Sequence, residues 1–94
     1  MTIVVSPPAR EDLKQAYQQI TQDHPEAADR MLARIIEVIG MLASGSVEGR
    51  EVRLRDGRRV HTWPVPPYRI YYRKSADVFE VVRVYHQARR PIER

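Results

Sequence analysis

The spacing of apolar residues changes once along this chain of 94 residues, about halfway, and this change constrains the fold more than any other feature. In the first half, apolar residues recur every three or four positions, which is the period of an α-helix. In the second half, they alternate with polar residues in short segments rich in valine and tyrosine, which is typical of β-strands. A chain of this length builds one core, so we predict a single α+β domain over residues 1–94.

The first half predicts two amphipathic helices joined by a tight turn. Ser6 precedes two prolines and is the expected N-cap of the first helix, which runs to about Gln22. Asp23, with Pro25 close behind it, is the expected start of the second helix, and Gly45 is its expected end. So short a turn implies an antiparallel helical hairpin with one shared apolar face.

The remaining apolar segments predict β-strands separated by turn residues. They are Ile3–Val5, Val52–Leu54, Val60–Trp63, Tyr68–Arg73 and Val78–His86. We predict the order β-α-α-β-β-β, in which the helical hairpin packs on one face of an antiparallel sheet. The other face is left open to water or to a partner, and a polar tail follows the last strand.

The last two strands lie close enough in sequence for their register to be predicted. A two-residue turn at residues 76–77 would pair Arg73 with Glu80. Alternation then assigns one set of side chains to the open face of the sheet. That set includes Arg69, Arg73, Val82, Val84 and His86. Arg69 and His86 become diagonal neighbours on this face, within reach of one bound anion.

The opposite face of the same two strands is the expected core. Alternation assigns Tyr85 and Arg83 to it, together with the most apolar side chains of both strands. Arg83 does not fit among apolar neighbours, because a buried guanidinium needs a partner. We therefore expect Arg83 to reach the edge of the sheet or to pair with an acidic group.

Basic residues are concentrated in the second half of the chain. Residues 1–48 contain four basic and seven acidic side chains, whereas residues 49–94 contain twelve basic and five acidic ones. Arginine accounts for 14 of the 16 basic residues, and its planar guanidinium suits phosphate or carboxylate. The expected anion-binding or target-binding residues are Arg50, Arg53, Arg55, Arg58, Arg59, Arg73, Arg89 and Arg90. Their partner is nucleic acid or an acidic protein surface, unless they form an ordinary solvated face.

The composition also argues against several classes of site. The chain has no cysteine and only three histidines, so we predict neither a metal site nor a cofactor. No apolar run approaches the roughly 20 residues of a membrane helix, and the N-terminus lacks the pattern of a signal peptide. We therefore expect a cytoplasmic protein without a membrane partner.

Two segments in the second half resemble the signatures of a known family. They are P-Y-R-I-Y-Y-R at Pro67–Arg73 and V-V-R-V-Y-H-Q-A-R-R at Val81–Arg90. Together with the element order, they resemble the RelE/ParE family of bacterial type II toxins over essentially the whole chain. The resemblance implies a growth-inhibiting toxin neutralised by a small antitoxin, whose acidic C-terminal segment would suit the basic half. We expect the antitoxin to cover Val82 and Val84, because paired valines exposed on a sheet usually pack against a partner.

The family has two modes of action, and the sequence favours one of them. RelE-like members cut mRNA on the ribosome, whereas ParE-like members inhibit DNA gyrase and are not nucleases. For a ribonuclease, the resemblance assigns Arg69 to phosphate binding and His86 to proton transfer, with Glu51 as a weaker candidate base. Arginines stand where many RelE-like members have lysines, and arginine cannot exchange protons. We therefore favour a gyrase inhibitor over a ribonuclease, with a nontoxic basic binding module as the third interpretation.

Overall fold

The computed structural model describes residues 1–94 as two helices and one five-stranded sheet. In chain order the elements are β1 (Thr2–Val5), α1 (Pro7–Asp23), α2 (Pro25–Ser44), β2 (Arg50–Arg53), β3 (Arg59–Val65), β4 (Tyr68–Lys74) and β5 (Val78–His86). The strands lie in the order β1-β5-β4-β3-β2, with β1 parallel to β5 and the other pairs antiparallel. The predicted α+β class and element order are confirmed. Four strands follow the helices, one more than the predicted order shows, because the segments on either side of Gly57 form separate strands. The sheet is mixed and not wholly antiparallel, because β1 lies parallel to β5.

Local backbone chemistry sets the ends of both helices. The Ser6 hydroxyl accepts a hydrogen bond from the Ala9 N–H at 3.2 Å, so its predicted role as the N-cap of α1 is confirmed. His24, and not Asp23, is the single residue between the two helices. Gly45 ends α2 with a φ of 82°, a left-handed conformation that glycine adopts without steric cost. Neither helix is long and apolar enough to cross a membrane.

The helices pack on one face of the sheet and enclose the main core there. α1 lies along β5, and the apolar sides of both helices meet the central strands. This cluster contains 13 buried residues, among them Ile35 of α2 and both Phe79 and Val81 of β5. Trp63 of β3 packs against its rim. We call this side of the sheet the helix face, and the opposite side the strap face.

The register of β4 and β5 follows the prediction near their connecting turn and then departs from it. Arg73 pairs with Glu80, as predicted. A β-bulge in the middle of the hairpin then shifts the pairing by one residue. Beyond the bulge, Arg69 pairs with Tyr85 instead of Val84. Because side chains alternate with a period of two, this shift exchanges the faces of the last side chains of β5.

Asp12 of α1 holds β5 at the point where it bulges. Its carboxylate accepts the Val84 N–H at 3.0 Å and two hydrogen bonds from the Arg83 guanidinium at 2.7 and 2.8 Å. The Ser6 hydroxyl donates to the Val82 carbonyl at 2.8 Å. These side chains bind the edge of β5 beyond the last residue that β1 pairs with. The predicted pairing of Arg83 with an acidic group is confirmed, and the hydrogen bond to Asp12 raises the pKa of Arg83.

Residues 87–94 fold back across the sheet and form what we call the C-terminal strap. The strap leaves β5, crosses the strap face and reaches the edge strand β2, beside which Leu54 and Glu93 form an isolated antiparallel bridge. Ile92 packs against a small apolar cluster on this face. The buried members of that cluster are Leu54, Val60, Tyr71 and Val82. The tail that was predicted only as polar therefore covers part of the face that was expected to be open.

Candidate functional site

A cleft on the strap face brings several polar and charged side chains together. It lies between the strap and the adjoining ends of β4 and β5, and its volume is about 420 Å³. Its lining residues are Arg69, Tyr71, Tyr85, His86, Gln87, Arg89, Pro91, Ile92, Glu93 and Arg94. We call it the arginine cleft, because three arginines border it and only one carboxylate does.

None of the three arginines of the cleft forms an ion pair. Arg69 is half-buried and donates from Nε to the Thr62 hydroxyl at 3.1 Å. The guanidinium of Arg89 lies 4.9 Å from the ring centroid of Tyr85, in a cation–π contact. The cleft therefore presents arginine charge that no carboxylate neutralises, which is an arrangement suited to binding an anion.

The one acidic residue of the cleft is already engaged. Glu93 accepts a hydrogen bond from the Tyr71 hydroxyl at 2.6 Å and lies 3.6 Å from a guanidinium nitrogen of Arg50. Burial, followed by the hydrogen bond to Glu93, raises the pKa of Tyr71 to about 12. At neutral pH, Tyr71 is thus a hydrogen-bond donor and not a proton acceptor.

The predicted placement of Arg69 and His86 together on the open face is wrong. Beyond the bulge, His86 pairs with Tyr68 on the helix face, where the two rings meet edge-on with centroids 5.1 Å apart. His86 borders both the arginine cleft and a groove of about 310 Å³ beside α1. Its Nδ1 accepts the Ala88 N–H at 3.0 Å, which leaves Nε2 for other contacts. Tyr85 occupies the position beside Arg69 that His86 was expected to hold.

The two valines that a partner was expected to cover are buried by this chain itself. Val82 is 2% exposed and belongs to the small apolar cluster of the strap face, against which Ile92 packs. Val84 is 2% exposed and lies in the main core, because the bulge turns it to the helix face. The expected antitoxin contact at Val82 and Val84 therefore loses its basis, which was their exposure.

The other arginines predicted to bind an anion are exposed. Four of them form ion pairs: Arg50 with Glu93, Arg58 with Asp56, Arg59 with Glu51, and Arg73 with Glu80. Arg53 pairs with Arg59 at the ends of β2 and β3, Arg55 follows β2, and Arg90 lies in the strap. Of the predicted set, only Arg89 lines the arginine cleft. Glu51, the weaker candidate base, is exposed beside Arg59 at 4.0 Å.

Two residues that organise this region were not identified from the sequence. Asp12 falls between Ala9 and Leu13 on the apolar stripe of α1, so an acidic side chain on a buried helix face could have been matched to Arg83. Glu93 lies in the polar tail, where no pattern in the sequence marks it as a residue that contacts the sheet.

No three histidine, aspartate or glutamate side chains come together as a potential metal site.

The sequence of this chain matches one known family, and its fold matches a solved structure. The family described as "ParE toxin of type II toxin-antitoxin system, parDE" matches residues 3–91. No curated protein matches the chain. A solved structure described as "Chromosomal ParDE TA system from P. aeruginosa" has the same fold, with a TM-score of 0.74 and 20% sequence identity over 92% of this chain and 95% of that one. Because the family match spans nearly the whole sequence, the chain belongs to the ParE toxin family of type II toxin–antitoxin systems.

Proposed function

We propose that this toxin arrests growth by inhibiting DNA gyrase in the cytoplasm and that a cognate antitoxin neutralises it. The observation that carries the proposal is the composition of the arginine cleft, which combines unpaired arginines with tyrosines and whose one carboxylate, Glu93, is already engaged. Such a cleft is suited to holding an anionic group of a protein target. Membership of the ParE family supports the same choice of target.

Cleavage of RNA would require proton transfer in addition to the binding of an anion. A base must take the proton of the 2′-hydroxyl, and a cation must hold the scissile phosphate. Arg69 can hold a phosphate but stays protonated, and Tyr71 has a pKa of about 12. His86 packs edge-on against Tyr68 and its Nδ1 is occupied. These contacts favour inhibition of gyrase over cleavage of RNA.

The proposed antitoxin contact follows from the distribution of charge. Residues 49–94 contain twelve basic and five acidic side chains, and these residues build β2 to β5 and the strap. An acidic antitoxin segment would neutralise this excess and speed association through long-range attraction. We expect the affinity of toxin for antitoxin to fall as the salt concentration rises.

The proposal is tested with the purified toxin in two assays run side by side. In a DNA supercoiling assay we expect inhibition of gyrase, and we expect the cognate antitoxin to restore supercoiling. In a cell-free translation reaction with mapping of mRNA ends we expect no ribosome-dependent cuts. Codon-specific cuts that disappear in His86→Ala, together with unaffected gyrase, would overturn the proposal in favour of the ribonuclease.

A set of arginine variants then tests the cleft itself. We expect Arg69→Ala to weaken gyrase inhibition about tenfold or more, because a charge-assisted hydrogen bond is lost. Arg69→Lys keeps the charge without the planar guanidinium and should restore part of the inhibition. Arg10→Ala removes an exposed arginine of α1 and serves as the control for net charge. If Arg69→Ala inhibits as well as Arg10→Ala, the cleft is not the contact surface.

A further inference from the structure

We propose that the edge strand β1 is the interface of a homodimer, in which β1 of one chain pairs antiparallel with β1 of a second copy. The sheet has two edges, β1 and β2, and they differ in how they are protected. β2 contains three charged side chains, and its Arg53 carbonyl accepts a hydrogen bond from the strap. β1 has neither charged side chains nor a covering segment. The inference does not depend on which molecule the toxin inhibits.

The β1 edge contains most of the exposed large apolar side chains of this protein. Five such side chains are exposed, and four of them lie at this edge, namely Met1, Ile3, Val4 and, on the adjoining β5, Val78. They are between 38% and 59% exposed. Natural edge strands usually carry charge, proline or a bulge that prevents pairing with another chain. A bare apolar edge therefore indicates a surface that is covered in an assembly.

The backbone of β1 is free to form hydrogen bonds on its outer side. The N–H groups of Thr2 and Ser6 donate to carbonyls of β5 and of the turn before it, at 2.8 and 3.0 Å. Successive residues of a strand turn their backbone groups to opposite sides, so Ile3 and Val5 turn theirs away from β5. A further strand can therefore bond to Ile3 and Val5 without disturbing the sheet.

A second copy of the same strand supplies the complementary groups. A two-fold axis at Val4 makes the paired strands antiparallel and places Ile3 of one chain opposite Val5 of the other. The outward N–H and C=O groups of both residues then bond across the axis, and the two Val4 side chains lie side by side. The contact closes on itself, because the edges that remain in the joined sheet are the two protected β2 strands.

Charge favours an uncharged strand such as β1 over a charged segment of another protein. An acidic segment would gain little at β1, because residues 1–6 contain no basic side chain, whereas β2 offers Arg50 and Arg53. Two chains of net charge +4 repel each other over a distance, so the dimer should form more readily as the salt concentration rises. This dependence is opposite in sign to the one expected for binding of the antitoxin.

The contact is small and leaves the arginine cleft open. Paired strands of four residues bury less area than a standard interface, so we expect a dissociation constant of about 10–100 µM. β1 pairs with β5 only as far as Val81, whereas the first residue of β5 that lines the cleft is Tyr85. A dimer would therefore present two accessible clefts.

Sedimentation equilibrium of the purified full chain measures the association. We expect the apparent mass to rise with protein concentration from 11.0 kDa towards twice that value, and to rise further at high salt. Val4→Lys should weaken the association about tenfold or more, because two like charges meet across the axis. Position 4 pairs with Glu80 of its own chain, so a lysine there is compatible with folding.

The matched control for the change of charge is Ile36→Lys, since Ile36 is 61% exposed on α2. We expect this variant to associate as the unmodified chain does. Equal association of the Val4→Lys and Ile36→Lys variants would overturn the proposal. An apparent mass that stays at that of one chain up to about 1 mM protein would overturn it as well and would leave the edge to a different protein.

A disulfide tests the register by a second route. The chain has no cysteine, so Val4→Cys introduces a single thiol. Opposite residues of a non-hydrogen-bonded antiparallel pair have Cα atoms about 4.5 Å apart, which a disulfide can span. Oxidised glutathione, which is itself reduced to the thiol, should cross-link this variant about tenfold faster than Ile36→Cys, because the dimer holds the two thiols together. Equal rates on a non-reducing gel would overturn the proposal, whether or not Val4→Lys folds.

Discussion

The helix face and the strap face of the same sheet are covered in different ways. The helix face buries 13 residues in one cluster under two helices, whereas the strap face buries four under a single extended segment. The unpaired arginines of the cleft all lie on the strap face or in the strap. The helix face therefore contains most of the buried apolar surface, whereas the strap face carries the unpaired charge.

The largest expected effect tests the helix face. Phe79 is fully buried and stacks on Tyr72 with ring centroids 4.8 Å apart. We expect Phe79→Ala to lower the free energy of unfolding by about 3–5 kcal/mol, because it removes a buried ring and leaves a cavity. Urea unfolding followed by circular dichroism measures the change.

The adjacent valines of β5 supply a matched control for that experiment. Val81 is buried on the helix face and Val82 is buried on the strap face, so Val81→Ala and Val82→Ala remove the same atoms from opposite sides. We expect the larger loss for Val81→Ala, because the thin cover over Val82 can collapse into the space. A larger loss for Val82→Ala would mean that the strap face is as tightly packed as the core.

The next-largest expected effect tests the contact between Asp12 of α1 and the end of β5. Asp12→Ala removes the acceptor of three hydrogen bonds from Arg83 and Val84. Loss of one partner of a buried ion pair costs about 3–5 kcal/mol, and we expect about 2–4 kcal/mol here, since 26% of the Arg83 side chain is exposed. Asp12→Asn keeps an oxygen for the Val84 N–H and should lose less. Equal stability of the Ala and Asn variants would mean that the acceptor to Val84 contributes nothing.

Stability at alkaline pH tests the strap face, because the pKa of Tyr71 on that face is raised. The pKa of Tyr71 is about 12 in the folded chain, compared with an ordinary value of 10.0. As the pH rises, Tyr71 therefore loses its proton in the unfolded chain at a lower pH than in the folded chain. The unfolded state then binds fewer protons, and stability falls as the pH rises from about 10 to about 12. A pKa difference of this size corresponds to about 2–3 kcal/mol.

Tyr71→Phe removes that pH dependence together with the hydrogen bond to Glu93. We expect the variant to be less stable than the parent by about 1 kcal/mol at neutral pH, and the gap to close above about pH 11. Urea unfolding at several pH values measures both. Part of the alkaline loss should remain in the variant, because burial also raises the pKa of Tyr68 and of Tyr72. A gap that is constant with pH would contradict the assignment to Tyr71.

These faces also show where prediction from sequence succeeds and where it ends. The change of apolar period predicts the helical hairpin and the sheet, and a two-residue turn predicts the pair Arg73 and Glu80. The bulge could not be predicted by alternation, which assumes an unbroken ladder, and the residues of β5 that follow it bond to Asp12, about 70 residues away in sequence. One extra residue places Tyr85, and not His86, beside Arg69 on the strap face. The bulge, and not simple alternation, therefore determines which side chains line the site.

The smallest expected effect is the coupling of Arg73 with Glu80 on the strap face. Their closest atoms are 2.6 Å apart, nearly the same distance as the 2.7 Å between Arg83 and Asp12. The side chains of Arg73 and Glu80 are 47% and 30% exposed, whereas that of Asp12 is 6% exposed. A double-mutant cycle with Arg73→Ala and Glu80→Ala should give about 0.2–1 kcal/mol, and less at high salt, because water and ions screen the pair. The same cycle for Asp12 and Arg83 should give a larger, less salt-dependent coupling. Equal couplings would mean that solvent exposure does not explain the difference between the two faces.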